Sequence, residues 1–413
     1  MLIRFEASNF RSISAPVELS MVAIDHDRPE ARRVEPLGEH VVPVAAVYGP
    51  NASGKSNVLE SLVWLRSAFG LSLSRWDDAI PLDPFAFRSG TRDVSAFRLE
   101  MTVDGVRFEY SLEATSDSVV YEGLFHYPER RRRLLFERDG LELKLQRGLG
   151  VLSGARKVMT GRTLMLSIAH RFGEPSVDGL ARQLGDMQIV RPTRLPQLWP
   201  GELDLWDPSL GASSAAARDR ALLLLRLADL GIEDVVAETR EIEPPRPSGP
   251  TGGIRSRLTR YLSLTHQSAA GPTAINFNDE SQGTKAWFHL IPPILRALDQ
   301  GSVLVVDELD TSLHPTLSAE VIRVFQSPVS NPKGAQLLFS SHDTSLLGHL
   351  NRDEIWLTEK RPDGSTRLGA LAEFAGERVR RSQNLERAYL ADRFGALPQI
   401  DNQELYHALG LVG

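Results

Sequence analysis

The run Gly49-Pro50-Asn51-Ala52-Ser53-Gly54-Lys55-Ser56 constrains this chain more than any other stretch. It fits the pattern G-x-x-x-x-G-K-[ST], a loop whose backbone amides converge on a phosphate group. Such a loop needs a strand before it and a helix after it, and both are legible. Val41 to Tyr48 is mostly apolar, with small and β-branched side chains, as a buried strand requires. From Asn57 to Phe69 the apolar residues Val58, Leu62, Leu65 and Phe69 recur at helical spacing. Gly49 and Gly54 let the backbone turn sharply, and the helix N-terminus adds partial positive charge where the amides point. Lys55 can reach the β- and γ-phosphates, and Ser56 can ligate a magnesium ion. Asn51 and Asn57 complete the residues assigned to the phosphate cradle. The chain is therefore expected to bind a nucleoside triphosphate.

At 413 residues the chain can bury a large core, with room for two or three domain-sized units or one domain with a big insertion. The net charge of −6 gives no overall basic signature, so contact with nucleic acid would need a local basic patch. There is no cysteine, which excludes disulfides, zinc-cysteine sites and thiol catalysis, and makes the cytoplasm the expected location. The opening Met1 to Glu6 lacks a signal-peptide pattern. No apolar run approaches the ~18 residues that span a bilayer, so no membrane partner is expected.

Five regions are expected. Residues 1–70 carry the P-loop and two short strands, Met1 to Phe10 and Val17 to Val22. Residues 85–145 show short alternating segments, such as Phe97 to Val103, separated by Asp104-Gly105 and Asp139-Gly140, which is the chemistry of antiparallel hairpins. Residues 146–270 read as a mainly helical insertion, with a clear helix over Ala215 to Leu230 ended by Gly231. Within it, Glu243 to Gly253 holds four prolines and three glycines and reads as an exposed loop or hairpin tip. Strand-like spacing resumes from Ile254 to Phe277. Residues 271–368 alternate helix and strand, closing with a hairpin that has Asp363-Gly364 at its tip. Residues 369–413 form a helix-rich tail.

Two strands in the fourth region end in reactive side chains. Val303-Leu304-Val305-Val306 runs into Asp307-Glu308, and a buried parallel strand delivers such residues to the sheet edge where nucleotides bind. Asp307 can hold the magnesium shell, while Glu308 can orient or deprotonate the attacking water. Leu337-Leu338-Phe339-Ser340-Ser341 runs into His342, which can hydrogen-bond a γ-phosphate or that water. Upstream, Ser281-Gln282-Gly283-Thr284 opens a helix: Ser281 suits an N-cap, and Gly283 permits close backbone approach.

A Ser-x-Gly helix start one helix ahead of an Asp-Glu strand end resembles the signature motif of ABC-type ATPases. The ordered set is the P-loop (49–56), the signature (281–284), a Walker B strand (303–308), a D-loop at Leu309-Asp310 and a switch histidine at His342. It resembles the superfamily that includes the structural-maintenance, RecF and overcoming-lysogenization-defect ATPases. Three further stretches resemble the ATPases of bacterial abortive-infection and antiphage operons. They are Asn9-Phe10-Arg11-Ser12, the Glu-Ser-x-Gly-Thr form of the signature, and the tail from Asn384 to Leu390 followed by Arg393 to Pro398. The likeness is strong at both ends of the chain and weak between about 65 and 270. Gln188 is one of several candidates for the magnesium-sensing glutamine of such ATPases.

The resemblance implies an α/β ATPase head: a mixed nucleotide-binding sheet, a flanking antiparallel sheet, a helical insertion and a helical tail. It implies ATP and Mg2+ as ligands and a homodimer, or an assembly of dimers, in which Ser281 and Gly283 of one copy complete the ATP site of the other. Asp310 belongs to that interface, and Arg11 stands where related ATPases carry a phosphate-contacting base. The function implied is a defence ATPase, a sensor or scaffold controlling a separately encoded effector such as a Toprim-like nuclease, because the tail is too short for a nuclease in cis. The alternative is a repair or chromosome ATPase that binds DNA itself through Arg130 to Arg133 or through Arg378, Arg380 and Arg381. A transporter subunit fits least, since the insertion is far longer than such a subunit needs.

Overall fold

The structure, a computed structural model, describes residues 1–35, 38–87, 94–191, 205–206, 212–228, 231–242, 257–269, 271–375 and 385–390. Glu243 to Gly253, the basic residues Arg378, Arg380 and Arg381, and the stretch from Arg393 to Pro398 lie outside the described residues. The chain divides into two units. The first comprises Met1–Ile189, Ala297–Asp310 and Ser318–Gly413, and the second Val190–Arg296 and Thr311–Leu317.

The first unit holds two large sheets. One is antiparallel and seven-stranded, built from β1 (Leu2–Ser8), β2 (Val17–Ser20), β6 (Ser95–Val103), β7 (Val106–Ala114), β8 (Val119–Tyr127), β9 (Arg133–Asp139) and β10 (Glu142–Leu145). Its spatial order is β10-β9-β8-β7-β6-β1-β2. The two N-terminal strands thus extend the antiparallel sheet, with β1 paired to β6 from Leu2↔Met101 to Ser8↔Ala96. Alternation decides the faces: along β6, Phe97, Leu99 and Met101 are buried, while Arg98 is exposed between them.

Two short strands, β3 (Arg32–Val34) and β4 (Glu39–Val41), pair antiparallel by themselves. The other large sheet is mixed, built from β5 (Val44–Tyr48), β11 (Gln188–Val190), β15 (Val303–Val306), β16 (Gln336–Ser340), β17 (Ile355–Lys360) and β18 (Thr366–Ala370), in the order β11-β15-β16-β5-β17-β18. Its central strands β5, β15 and β16 are buried along their whole length and parallel, as their uninterrupted apolar runs require. β17 is parallel to β5 and returns as a hairpin to β18. β11 forms the opposite edge. The helix Lys55–Arg75 follows β5 and packs its apolar side, including Val58, Leu62 and Leu65, into the core between the sheets.

A buried polar knot braces that helix from behind. The Glu122 carboxylate on β8 accepts the backbone N–H groups of Met165 and Leu166 at 2.7 and 2.8 Å and the Tyr110 hydroxyl at 3.0 Å. The two amides open the helix Met165–Arg171, so the charge sits on the positive end of its dipole. Arg138, fully buried 3.8 Å from Glu122, donates to the carbonyls of Gly140, Thr160 and Thr163. Ser167 on the same helix donates to the Phe69 carbonyl of the P-loop helix at 2.7 Å.

The region expected to be mainly helical (146–270) begins in the first unit and continues in the second, where it changes character after the helix Ala212–Leu227. Gly231, with φ +64°, turns the chain into β12 (Ile232–Ile242), which pairs with β13 (Arg257–Ser268) and then β14 (Gly271–Asn276). The β-branched residues Ile232, Val235, Val236, Thr239 and Ile242 carry that preference. The helix Gln282–Gln300 follows, with Phe288 stacked on Trp206 and against Phe277. Among the described residues no helix is long and apolar enough to cross a membrane.

Candidate functional site

The parallel strands β5, β16 and β15 bring three loop starts to one carboxyl edge. Val47 of β5 is level with Ser340 of β16, and Phe339 is level with Val306 of β15. Just beyond these rungs come Gly49, Asp307-Glu308 and His342. That register carries residues far apart in the chain into contact. The Ser56 hydroxyl donates to Asp307 Oδ1 at 3.0 Å, across 251 positions. The Asp310 carboxylate accepts the His342 backbone N–H at 3.3 Å, and the His342 side chain is exposed.

Lys55 lies in this cluster, buried, with Nζ donating to the carbonyls of Gly49 at 2.9 Å and Pro50 at 3.0 Å. Burial lowers its ammonium pKa to about 8, against the opposing pull of Glu308, Asp307 and Asp310. A bound triphosphate would add negative charge beside it and raise that pKa. ATP binding is therefore expected to take up a proton, about half a proton per site near pH 8. Affinity should be constant below about pH 8 and fall by up to about tenfold per pH unit above it, until the pKa of the bound state is passed. Calorimetry in buffers of different ionisation heat reads the uptake directly. Equal affinities at about pH 7 and about pH 9, with no proton uptake, would show that burial does not lower the Lys55 pKa into this range.

The P-loop is fixed from beneath by hydroxyls. Ser53 Oγ lies 2.6 Å from Thr358 Oγ1, and Thr358 donates to the Tyr48 carbonyl at 3.1 Å. Thr366 Oγ1 donates to the Ser53 carbonyl at 2.9 Å and lies 2.7 Å from Ser12 Oγ. Gly49 (φ +147°) and Gly54 (φ +108°) are demanded by this packing as well as by the turn. A Cβ on Gly49 would meet the Thr358 carbonyl oxygen at 2.4 Å, and one on Gly54 would meet Thr366 Oγ1 at 2.0 Å. Ser12, Ser53, Thr358 and Thr366 carry no motif that marks them in the sequence as loop supports; Ser12 stands only as the last residue of the Asn9-Phe10-Arg11-Ser12 stretch.

Asn57, Arg11 and Gln188 are held by other protein groups, and Asn51 stands exposed on the loop. Asn57 Nδ2 donates to Ser12 Oγ at 2.7 Å. Arg11, with φ +50°, sets its guanidinium 3.4 Å from Asp83 and 3.7 Å from Glu60 on the P-loop helix. Gln188 opens the edge strand β11, with Nε2 donating to the Asp186 carbonyl at 2.6 Å. Ser281 and Gly283 belong to the second unit. There Ser281 Oγ accepts the Thr284 N–H at 3.1 Å, an N-cap for the helix Gln282–Gln300. A Cβ on Gly283 would meet the Ser312 carbonyl oxygen at 2.9 Å.

The donor set suits magnesium. Ser56 and Asp307 offer hard oxygen ligands 3.0 Å apart. Among the described residues no cluster of three or more His, Cys, Asp and Glu could hold a metal ion. Mg2+ needs no such cage, since it is commonly held by one or two protein groups together with water and substrate phosphates.

A parallel sheet that delivers a P-loop, an acidic pair and a histidine to one edge defines a P-loop ATPase. The family model described as "AAA domain, putative AbiEii toxin, Type IV TA system" matches residues 44–149 and 195–348, more than half of the sequence, and the chain belongs to that family. The match takes in the P-loop, Ser281, the Asp307-Glu308 pair and His342. Among solved structures, the chain is similar to one described as "Dimeric structure of a post-hydrolysis state of the ATP-binding cassette MJ0796 bound to ADP and Pi". The identity is 12% and the TM-score 0.33, over 89% of this chain and 98% of that one. No curated protein matches.

Proposed function

We propose that the chain is an ABC-type ATPase that hydrolyses ATP with Mg2+ and works as a homodimer with composite sites. In this reading it is a sensor or scaffold that controls a separately encoded effector in antiphage defence. The observation that carries the nucleotide part is the contact of Ser56 with Asp307 at the carboxyl edge of the sheet. Lys55 would neutralise β- and γ-phosphate charge, and Ser56 and Asp307 would hold the metal, which when bound draws charge from the same oxygens. Glu308 would orient and deprotonate the attacking water, while His342 would hydrogen-bond the γ-phosphate. The capped helix at Ser281, with Gly283 close behind, would present its N-terminal amides to the γ-phosphate held by a second copy. Hydrolysis would then loosen the pair, a ligand-driven shift of population.

The family description, which names AbiEii and a Type IV TA system, supports the association with abortive infection. For the alternative of direct DNA binding, three of the four arginines of the run already have protein partners. Arg130 donates to the Glu35 carbonyl, Arg132 lies over the Phe125 ring and pairs with Glu109, and Arg133 pairs with Glu129. The test is to incubate the purified chain with Mg-ATP, following mass by light scattering and phosphate by release assay. A shift from monomer to dimer with phosphate release, and no cleavage of added DNA or RNA, is the expected result. No ATP-dependent association would remove the composite-site reading, and active-site-dependent nucleic-acid cleavage would remove the separate effector.

A further inference from the structure

Ser340 is the last residue of β16 and is fully buried. Its contacts reach three consecutive residues of the loop that leaves β15. Its hydroxyl donates to Asp307 Oδ1 at 2.6 Å and accepts the Glu308 backbone N–H at 2.7 Å. Its carbonyl accepts the Leu309 N–H at 3.0 Å. One O–H donor and one lone pair are thereby both used, each on a member of the acidic pair.

The Glu308 backbone needs such a hold. Its φ is +60°, in the left-handed region that a long side chain rarely occupies and that persists only where the surroundings fix it. Asp307 needs one for a different reason. Its Oδ1 also accepts the Ser56 hydroxyl. If Ser56 were drawn to a metal ion, Ser340 would remain to keep the carboxylate aimed. The neighbouring Ser341 hydroxyl serves another purpose, accepting the Asp343 N–H at 2.9 Å. Asp310 and the His342 N–H add a second rung between the same two loops.

We infer that Ser340 is a positioning residue of the ATPase site, setting the Asp307 carboxylate for the metal and the Glu308 backbone for the water through a single hydroxyl. The inference rests on the nucleotide-site reading above and adds to it a residue that touches neither substrate nor metal. Removing a hydrogen-bond partner that orients a metal-binding group typically lowers metal affinity or activity by about 10- to 100-fold.

The experiment compares Ser340→Ala, Ser340→Cys and Ser340→Thr with the unaltered chain. Nucleotide affinity is read by a fluorescent ATP analogue in EDTA and across a Mg2+ titration, kcat by phosphate release, and folding by thermal melting. Ser340→Ala should leave affinity in EDTA unchanged, weaken the Mg2+-dependent gain in affinity and lower kcat by about 10- to 100-fold. Ser340→Cys puts a larger and much weaker donor at the same branch point, so it should show the same losses while melting cooperatively even if the alanine variant folds poorly. Ser340→Thr restores the hydroxyl and should recover most of both quantities. Unaltered kcat and Mg2+ response in the alanine and cysteine variants would overturn the inference. So would equal losses in all three variants, since the hydroxyl would then not be the cause. If Lys55→Ala also binds ATP normally, the nucleotide-site reading has failed; if it does not, only the role of Ser340 has.

Discussion

Lys55→Ala is expected to abolish measurable ATP binding, a loss of about 100-fold or more in affinity. The ammonium is the cation that the site keeps beside Asp307, Glu308 and Asp310. Without it, three half-buried carboxylates would stand near an incoming triphosphate with no lysine to offset them, and like charges repel. The loop would also lose the donor that now ties the Gly49 and Pro50 carbonyls together. Charge-assisted hydrogen bonds to phosphate are roughly twice as strong as neutral ones, and Lys55 is placed to make them. Titration with a fluorescent ATP analogue measures the effect. Unchanged affinity would falsify the P-loop assignment, and with it the whole nucleotide reading.

Glu308→Gln should separate binding from turnover. Glutamine keeps the length and the backbone requirements of position 308, where the N–H is held by Ser340 and φ is +60°. It removes the carboxylate proposed as the base. ATP should bind at least as well, while phosphate release falls by about 10²- to 10⁴-fold, the usual contribution of a positioned general base. With hydrolysis blocked, ATP should stay in place and the proposed dimer should outlive that of the unaltered chain in size-exclusion runs with Mg-ATP. Full turnover in this variant would remove Glu308 from the mechanism. Loss of binding together with turnover would make position 308 a structural support for the loop.

The two variants draw on different parts of the site, and the sequence reveals those parts unequally. Gly49 to Ser56 is legible because its chemistry is local: a strand, a turn that needs glycine, and a helix start fall within some thirty residues. The Asp307-Glu308 pair and His342 are legible because each ends a short, wholly apolar run, and such runs in this order fit a buried parallel strand. Position 11 shows the limit. Arg11 stands in a stretch resembling a phosphate-contacting motif, yet its guanidinium lies between Asp83 and Glu60. Asp83 has no sequence pattern that ties it to Arg11. Asn57 is similar: it follows the P-loop directly, but its amide turns to Ser12.

By itself the sequence determined which strand ends carry phosphate-binding, acidic and histidine groups, because those groups are fixed by spacing along one strand or one helix turn. Only the tertiary structure decided how they are held. Ser12, Thr358 and Thr366 meet Ser53 and Gly54 beneath the loop, and Ser340 joins Asp307 to Glu308. A hydroxyl contributes no hydrophobic periodicity, so nothing in the linear pattern distinguishes these from the chain's other serines and threonines. They become partners only when parallel and antiparallel pairing sets the register of β5, β15, β16, β17 and β18. That register follows from which apolar faces can be buried together, a property of the whole sheet that no single segment carries.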